Sequence, residues 1–302
     1  MRRGNGVDCR PGAASSDDGL DDRNRQGVDN LEFGQAGLFL LVALAVLAEL
    51  TWAALRRNGA YNLKDSLSNV FIAIVNNAMK PVTLVWKYAV LAWVAERFQF
   101  FTLAEALPDT RGGTLLAVLA TFLVADCAYY WYHRLNHEVT VLWTMHHTHH
   151  SSQWMNMTTA VRLNWLANFI SPLFFAPLML LGLSPEWVAA SLAFGLFYQF
   201  FLHTQSVPAL GWFEGKLLNT PSAHRVHHGS NLIYVDRNYA GALIVWDRLF
   251  GTYQAEVEPV RYGVTTGFVG HNPLVIQLAP VWKYVRHDWR REKHIAEAGG
   301  AR

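Results

Sequence analysis

The sequence predicts an all-α fold: an integral membrane helical bundle of about four to five spans with a histidine-rich helical cap on its cytoplasmic side. Three observations predict it. Hydrophobic residues make up 52% of the 302-residue chain and charged residues only 16%, below the charge content of a typical soluble domain. The apolar residues are bunched into runs close to the ~20 residues that cross a bilayer as a helix. Most of the 13 histidines stand in tight groups, at helical spacing, beside the ends of those runs.

Taken in order, residues 1–32 hold Asp17, Asp18, Asp21 and Asp22 among Arg, Gly and Ser, with almost no apolar content. They read as a disordered tail. They lack the short apolar core and small-residue cleavage site of a signal peptide, so the first apolar run reads as an uncleaved anchor. A membrane domain is expected over 33–258 and a cytoplasmic C-terminal tail over 259–302.

Five apolar segments stand out, at about 36–55, 69–95, 113–132, 165–183 and 186–204. The second is interrupted by Asn76-Asn77 and Lys80-Pro81. Proline removes a helix hydrogen bond, so this segment should be kinked or split into two half-helices buried against neighbours. The fourth and fifth are joined only by Gly182-Leu183-Ser184-Pro185-Glu186, a tight hairpin whose open ends emerge on one side. Two crossings then separate the earlier histidines from the later ones, which places them all on one face of the membrane. The link 56–68 carries Arg56, Arg57 and Lys64, and the chain after 205 is rich in arginine, including Arg286, Arg290 and Arg291. The link 96–112 carries Arg97 and Arg111 against Glu96, Glu105 and Asp109. By the positive-inside rule the histidine face is cytoplasmic and the N-terminus outside; if the second segment does not cross, the N-terminus moves inside.

Several chemistries drop out. A net charge of +2 without a basic aromatic face gives no signal for nucleic acid. Cys9 lies in the polar tail and Cys127 in an apolar run, so neither a disulfide nor a cysteine-based metal site is expected. There is no phosphate-cradling glycine loop, nucleophile elbow or His-Glu-x-x-His run.

The histidines remain. Residues three or four apart share a helix face, so His133/His137, His146/His149/His150 and His224/His227/His228 each aim imidazoles one way. With His203 they make nine candidate ligands, too many for one closed four-ligand site and suited to two ions of four or five ligands each. Imidazole accepts zinc, copper, iron or nickel, and spacing does not choose among them. His147 sits one step off the shared face, and His271, His287 and His294 read as solvated. Asp126, inside an apolar stretch, and Glu138, next to His137, are expected to orient or tune the ligands; Asp236 and Asp247 could serve similarly. For all four, an ion pair with Arg134, Arg237 or Arg248 is the plainer reading.

These strings resemble the fatty acid hydroxylase superfamily, which includes sterol desaturases. The match runs from Asp126-Cys-Ala-Tyr-Tyr-Trp-Tyr-His133-Arg-Leu-Asn-His137-Glu138 through His146-His-Thr-His149-His150-Ser-Ser and Asn156-Met-Thr-Thr-Ala-Val-Arg162. It continues to His203-Thr204, Thr220-Pro-Ser-Ala-His224-Arg-Val-His227-His228-Gly and Trp246-Asp-Arg-Leu-Phe-Gly-Thr252. Within the superfamily they look most like the ether-lipid-cleaving branch, from which Gln153, Ala223 and Leu163-Asn164 depart. The resemblance implies two non-haem iron ions, O2 as oxidant and a lipid substrate, whether sterol, fatty acyl or alkyl ether, hydroxylated or desaturated at a C–H bond. It implies electrons from outside, through a carrier protein or a reduced pterin, since no haem or flavin segment is visible. Trp131, Trp143, Trp154, Met155 and Phe200 are candidate pocket walls, although tryptophans near span ends also serve as interfacial anchors. A different class, a membrane zinc or copper transporter, would place its ligands near mid-bilayer rather than beyond the spans.

Overall fold

The computed structural model describes residues 37, 38 and 40–286. The expected tail 1–32 with Cys9, and His287, Arg290, Arg291 and His294, lie outside the described residues. The chain divides into two compact units, 1–48 and 49–302. In the first, residues 40–48 are helical and Leu40, Leu41 and Leu44 are exposed. The second unit carries the histidines.

Among the described residues the fold is all helix and loop, with two isolated β-bridges, Leu218–Leu243 and Gly229–Tyr262, and no strand. Helix α1, Leu63–Phe98, starts where the Asn62 side chain accepts the Asp65 N–H, and it runs for 36 residues with Pro81 inside it. Of the two expected outcomes, a kink or two half-helices, the second does not occur: the helix is continuous through Pro81. Its mid-helix polar groups face residues 163–168. Asn76 Nδ2 donates to the Leu163 carbonyl, Asn168 Nδ2 to Asn76 Oδ1, and Lys87 Nζ to Asn168 Oδ1.

Helix α2, Arg111–Glu138, begins at a Thr110 cap and exposes Leu115, Leu119 and Leu123. It is the one helix among the described residues long and apolar enough to cross a membrane. Helix α3, Thr140–His150, follows after the extended Val139. The 165–183 run, expected as one span, forms α4 (Ala167–Phe175) and then 3-10 turns over Ala176–Leu181. Pro177, which has no N–H to donate, stands at the change. Gly182 ends this stretch at φ +77°, where a Cβ would lie 2.5 Å from the Phe101 ring. Ser184 then caps α5, Pro185–Phe200. Leu91, Ala125, Phe175, Met179 and Val188 meet in one apolar cluster that ties α1, α2, α5 and the proline-broken stretch together.

Three short helices complete the cap. These are α6 (Pro221–His227), α7 (Val245–Leu249) and α8 (Pro273–Val285). The first turn of α8 packs against α3 and the segment after it. Thr148 Oγ1 donates to the Ile276 carbonyl, and Asn164 Nδ2 to the Gln277 carbonyl. His271, expected to be solvated, instead lies against Trp154 and Phe268, with ring centroids 5.7 and 5.0 Å away.

Candidate metal centre

Nine buried or nearly buried imidazoles converge from four pieces of chain. His133 and His137 come from the last turns of α2; His146, His149 and His150 from the end of α3. His203 lies in the turn after α5, and His224, His227 and His228 are on α6 and its C-cap. They fall into two groups, His133/His137/His146/His150/His227 and His149/His203/His224/His228. Within each group the ligand atoms lie within 4.8 Å of one another. His147 joins neither group; it is buried, and its ring centroid lies 5.8 Å from that of Trp143.

Backbone carbonyls fix several rings. A carbonyl oxygen only accepts, so its imidazole partner must present N–H. His133 Nδ1–H donates to the Tyr239 carbonyl at 2.7 Å, His203 Nδ1–H to Gln199 at 2.8 Å and His227 Nδ1–H to Arg237 at 3.0 Å. In each neutral ring Nε2 is then a bare lone pair. His137 Nδ1 faces the Asp236 carboxylate at 3.5 Å.

The Nε2 atoms point at one another. His146 Nε2 stands 2.9 Å from His133 Nε2 and 3.1 Å from His150 Nε2; His203 Nε2 stands 3.1 Å from His149 Nε2 and 3.0 Å from His224 Nε2. A single proton on His146 Nε2 can serve only one of its two close neighbours. The buried Nε2 atoms of His137, His227 and His228 have no hydrogen-bond partner at all. Orphaned buried nitrogens are costly unless something else binds them. Two nitrogens bound at right angles to one cation, with bonds of about 2.0–2.1 Å, would be about 2.9 Å apart. The donor set therefore fits a pair of cations.

Burial acts in the same direction. It holds the His149, His150, His224, His227 and His228 rings well below the usual imidazole pKa, with neighbouring imidazoles adding to the effect. His147 is pushed down to about 3 by burial, then by Lys283 and Arg162. All are neutral at pH 7, the form a metal requires.

Of the expected carboxylates Asp236 alone faces an imidazole, that of His137; the others bond elsewhere. Asp126 touches no imidazole; its oxygens accept the Ala242 and Leu243 N–H groups at 3.0 and 3.1 Å and Trp246 Nε1–H at 2.9 Å. Asp247 accepts the Tyr239 and Ala240 N–H groups, both at 2.8 Å, and the Thr252 hydroxyl. Together they pin the 239–243 loop whose Tyr239 carbonyl holds His133. Glu138 accepts from Arg134 Nε at 2.7 Å, and both side chains are partly exposed.

A second support escapes sequence reading. Arg162 is wholly buried behind α3. Its Nε donates to the Thr148 carbonyl, its Nη2 to Ser151 Oγ, and its Nη1 to Asp65 and Asn69. A cation at the C-terminus of the helix that carries His146, His149 and His150 suits the helix dipole. Arg162 stands in one of the matching strings, but nothing in the sequence pairs it with Asp65.

A cavity of about 230 Å³ opens on the five-histidine group at His137, His150 and His227. Trp143 and Val264 are among its apolar walls, with Thr140, Ser230, Thr265, Thr266 and Asp236 as polar ones. Of the five expected wall residues only Trp143 lines it. Trp131 packs on Phe250, Trp154 on Phe268 and Phe200 on Phe201, while Met155 is buried. Apart from Gly229 and Asp236, the loops 229–236 and 263–266 that do line it carried no signal in the sequence.

Residues 118–252 match the family described as fatty acid hydroxylase. Alkylglycerol monooxygenase of Homo sapiens is 46% identical over 223 residues, which is 73% of this chain and 48% of that protein. Alkylglycerol monooxygenase of Danio rerio is 49% identical over 144 residues, 48% of this chain and 32% of that protein. Ornithine lipid hydroxylase OlsE of Rhizobium tropici is 31% identical over 147 residues, 47% of this chain and 43% of that protein. The chain spans about half or less of the length of these curated relatives. No solved structure matches it.

Proposed function

From a chain that belongs, through residues 118–252, to the fatty acid hydroxylase superfamily, we propose a membrane-bound, O2-dependent lipid monooxygenase with two non-haem iron ions. One observation carries the reading: nine buried imidazoles in two groups, several held with Nε2 lone pairs turned inward and without a proton to share. His133, His137, His146, His150 and His227 would hold one ion, and His149, His203, His224 and His228 the other. Iron bound there would supply activation of O2 and attack on an unactivated C–H bond.

The chain's own residues do the rest. The Tyr239, Gln199 and Arg237 carbonyls keep Nδ1 protonated and Nε2 free, setting ring orientation before any ligand arrives. Asp126 is a positioning residue that acts through the 242–243 backbone. Glu138 is proposed as a second, through its place beside His137. The cavity brings the reacting carbon of a lipid to the five-histidine group, and Trp143 and Val264 keep water from that end. Hydroxylation consumes electrons and protons beyond those of the lipid and O2, so an outside donor is part of the proposal, either a carrier protein or a reduced pterin.

The site is proposed to face the cytoplasm, with α2 crossing the bilayer and the apolar runs of α1 and of 167–200 adding further spans. Exposed Val85 and Trp93 on α1 and Phe194 and Leu196 on α5 support this reading. The test is metal analysis of purified protein together with lipid mass spectrometry of membranes with and without the gene. Two irons per chain and a lipid gaining one oxygen, losing two hydrogens or cleaved at an ether bond are expected. Exchangeable zinc without O2 uptake would replace the enzyme with a metal-handling protein.

A further inference from the structure

Between His203 and His224 the chain makes a loop whose polarity is inside out. Leu210, Trp212, Phe213, Leu217 and Leu218 are all exposed, with Trp212 at 68% and Phe213 at 59%. The loop's one acid turns inward. Glu214 Oε2 accepts the Leu210 N–H at 3.0 Å, and Oε1 accepts the Thr220 hydroxyl. Gly215, at φ +66°, lies so close to Tyr253 that a Cβ would overlap the ring, and its carbonyl accepts from Arg248 Nε. The loop is thus held in shape from beneath while its large apolar side chains face out. Lys216 Nζ lies 4.5 Å over the Trp212 ring, leaving a cation beside the aromatic pair.

We propose that residues 210–218 form an anchor that lies in the interfacial layer of a lipid bilayer. A tryptophan and phenylalanine flanked by leucines, with lysine beside them and no outward acid, matches the chemistry of that layer. Its apolar depth takes the rings and leucines, and its phosphates take the ammonium group. An aqueous surface would instead draw Glu214 out and the leucines in. The anchor joins α5 to α6, so it would fix the depth at which His203 and His224 sit relative to the bilayer. This rests on the membrane reading above.

The test uses the full, metal-loaded chain in vesicles of phosphatidylcholine with phosphatidylglycerol. Cys9 and Cys127 are replaced by serine and alanine, and one nitroxide-labelled cysteine is placed by Trp212→Cys, Leu119→Cys or Glu258→Cys. Collision with O2, which concentrates in lipid, is compared with collision with a water-soluble nickel complex. The O2-to-nickel ratio at 212 is expected to be several-fold above that at 258 and below that at 119 on α2. A ratio at 212 equal to that at 258, with 119 still in lipid, overturns the anchor and leaves the membrane reading standing. Low collision with both reagents at 212, with spin–spin broadening removed by unlabelled protein, means that a second copy covers the loop, and that also overturns it. If 119 is as nickel-accessible as 258, the membrane reading itself fails.

Discussion

The Arg162 guanidinium meets the Asp65 carboxylate at 3.0 Å with both side chains sealed from solvent, directly behind the helix that carries His146, His149 and His150. Removing one partner of a buried pair strands the other charge, at a cost of about 3–5 kcal/mol. Asp65→Ala is therefore expected to lower the unfolding midpoint strongly in detergent, and to loosen metal held through α3. A variant with an unchanged midpoint would show that the pair contributes nothing net.

The two histidine groups should be separable. His227→Ala removes a ring from the five-membered group and His149→Ala one from the four-membered group. Each variant is expected to stay in the membrane fraction, lose turnover and retain about half the metal, since the other group keeps its full set. Full metal content and turnover in either variant would remove that residue from the ligand set.

Protonation gives a third expectation. His147, at about 3, and the depressed His149, His150, His224, His227 and His228 titrate lower folded than unfolded, where imidazole sits near ~6.5. Below that value the unfolded chain binds more protons, so stability is full above about pH 6.5 and falls as the pH drops toward 3. Each extra proton taken up on unfolding removes about 1.4 kcal/mol per pH unit. Chelator-treated protein should therefore melt markedly lower at pH 5.5 than at 7.5. Equal melting temperatures would mean that the rings are hydrated.

Asp126 and Glu138 should part company. Asp126→Asn puts an NH2 where two N–H groups and Trp246 donate, at a cost of about 1–3 kcal/mol, and should weaken metal retention through the Tyr239 carbonyl. Glu138→Gln breaks an exposed pair with Arg134, worth about 1 kcal/mol or less. Its stability and metal content should hold while turnover falls. Unchanged turnover would leave Glu138 as a partner of Arg134 and nothing more.

Spacing of four keeps His133 with His137, His146 with His150 and His224 with His228, because a helix puts such residues on one face. The pairs three apart, His146/His149 and His224/His227, divide between the two groups. Composition alone did not show that the 165–183 run divides into α4 and the 3-10 turns of Ala176–Leu181. Of the two outcomes expected around Asn76 and Lys80, the split does not occur: α1 is one helix with Pro81 inside it, and Asn76 finds partners at Leu163 and at Asn168 on α4.

What the sequence determined by itself was the all-α class and which residue types cluster as candidate ligands. Only the tertiary structure decided that His146 joins His133 while His149, one turn on, joins His203. It alone placed Asp126 on the 242–243 backbone, Arg162 on Asp65 across 97 residues of chain, and the 263–266 loop over the cavity. Periodicity reports only on neighbours a few residues apart. Which arm of the chain meets which imidazole depends on how the helices pack, and that packing comes from side-chain shape and from buried polar groups finding partners far away in the sequence.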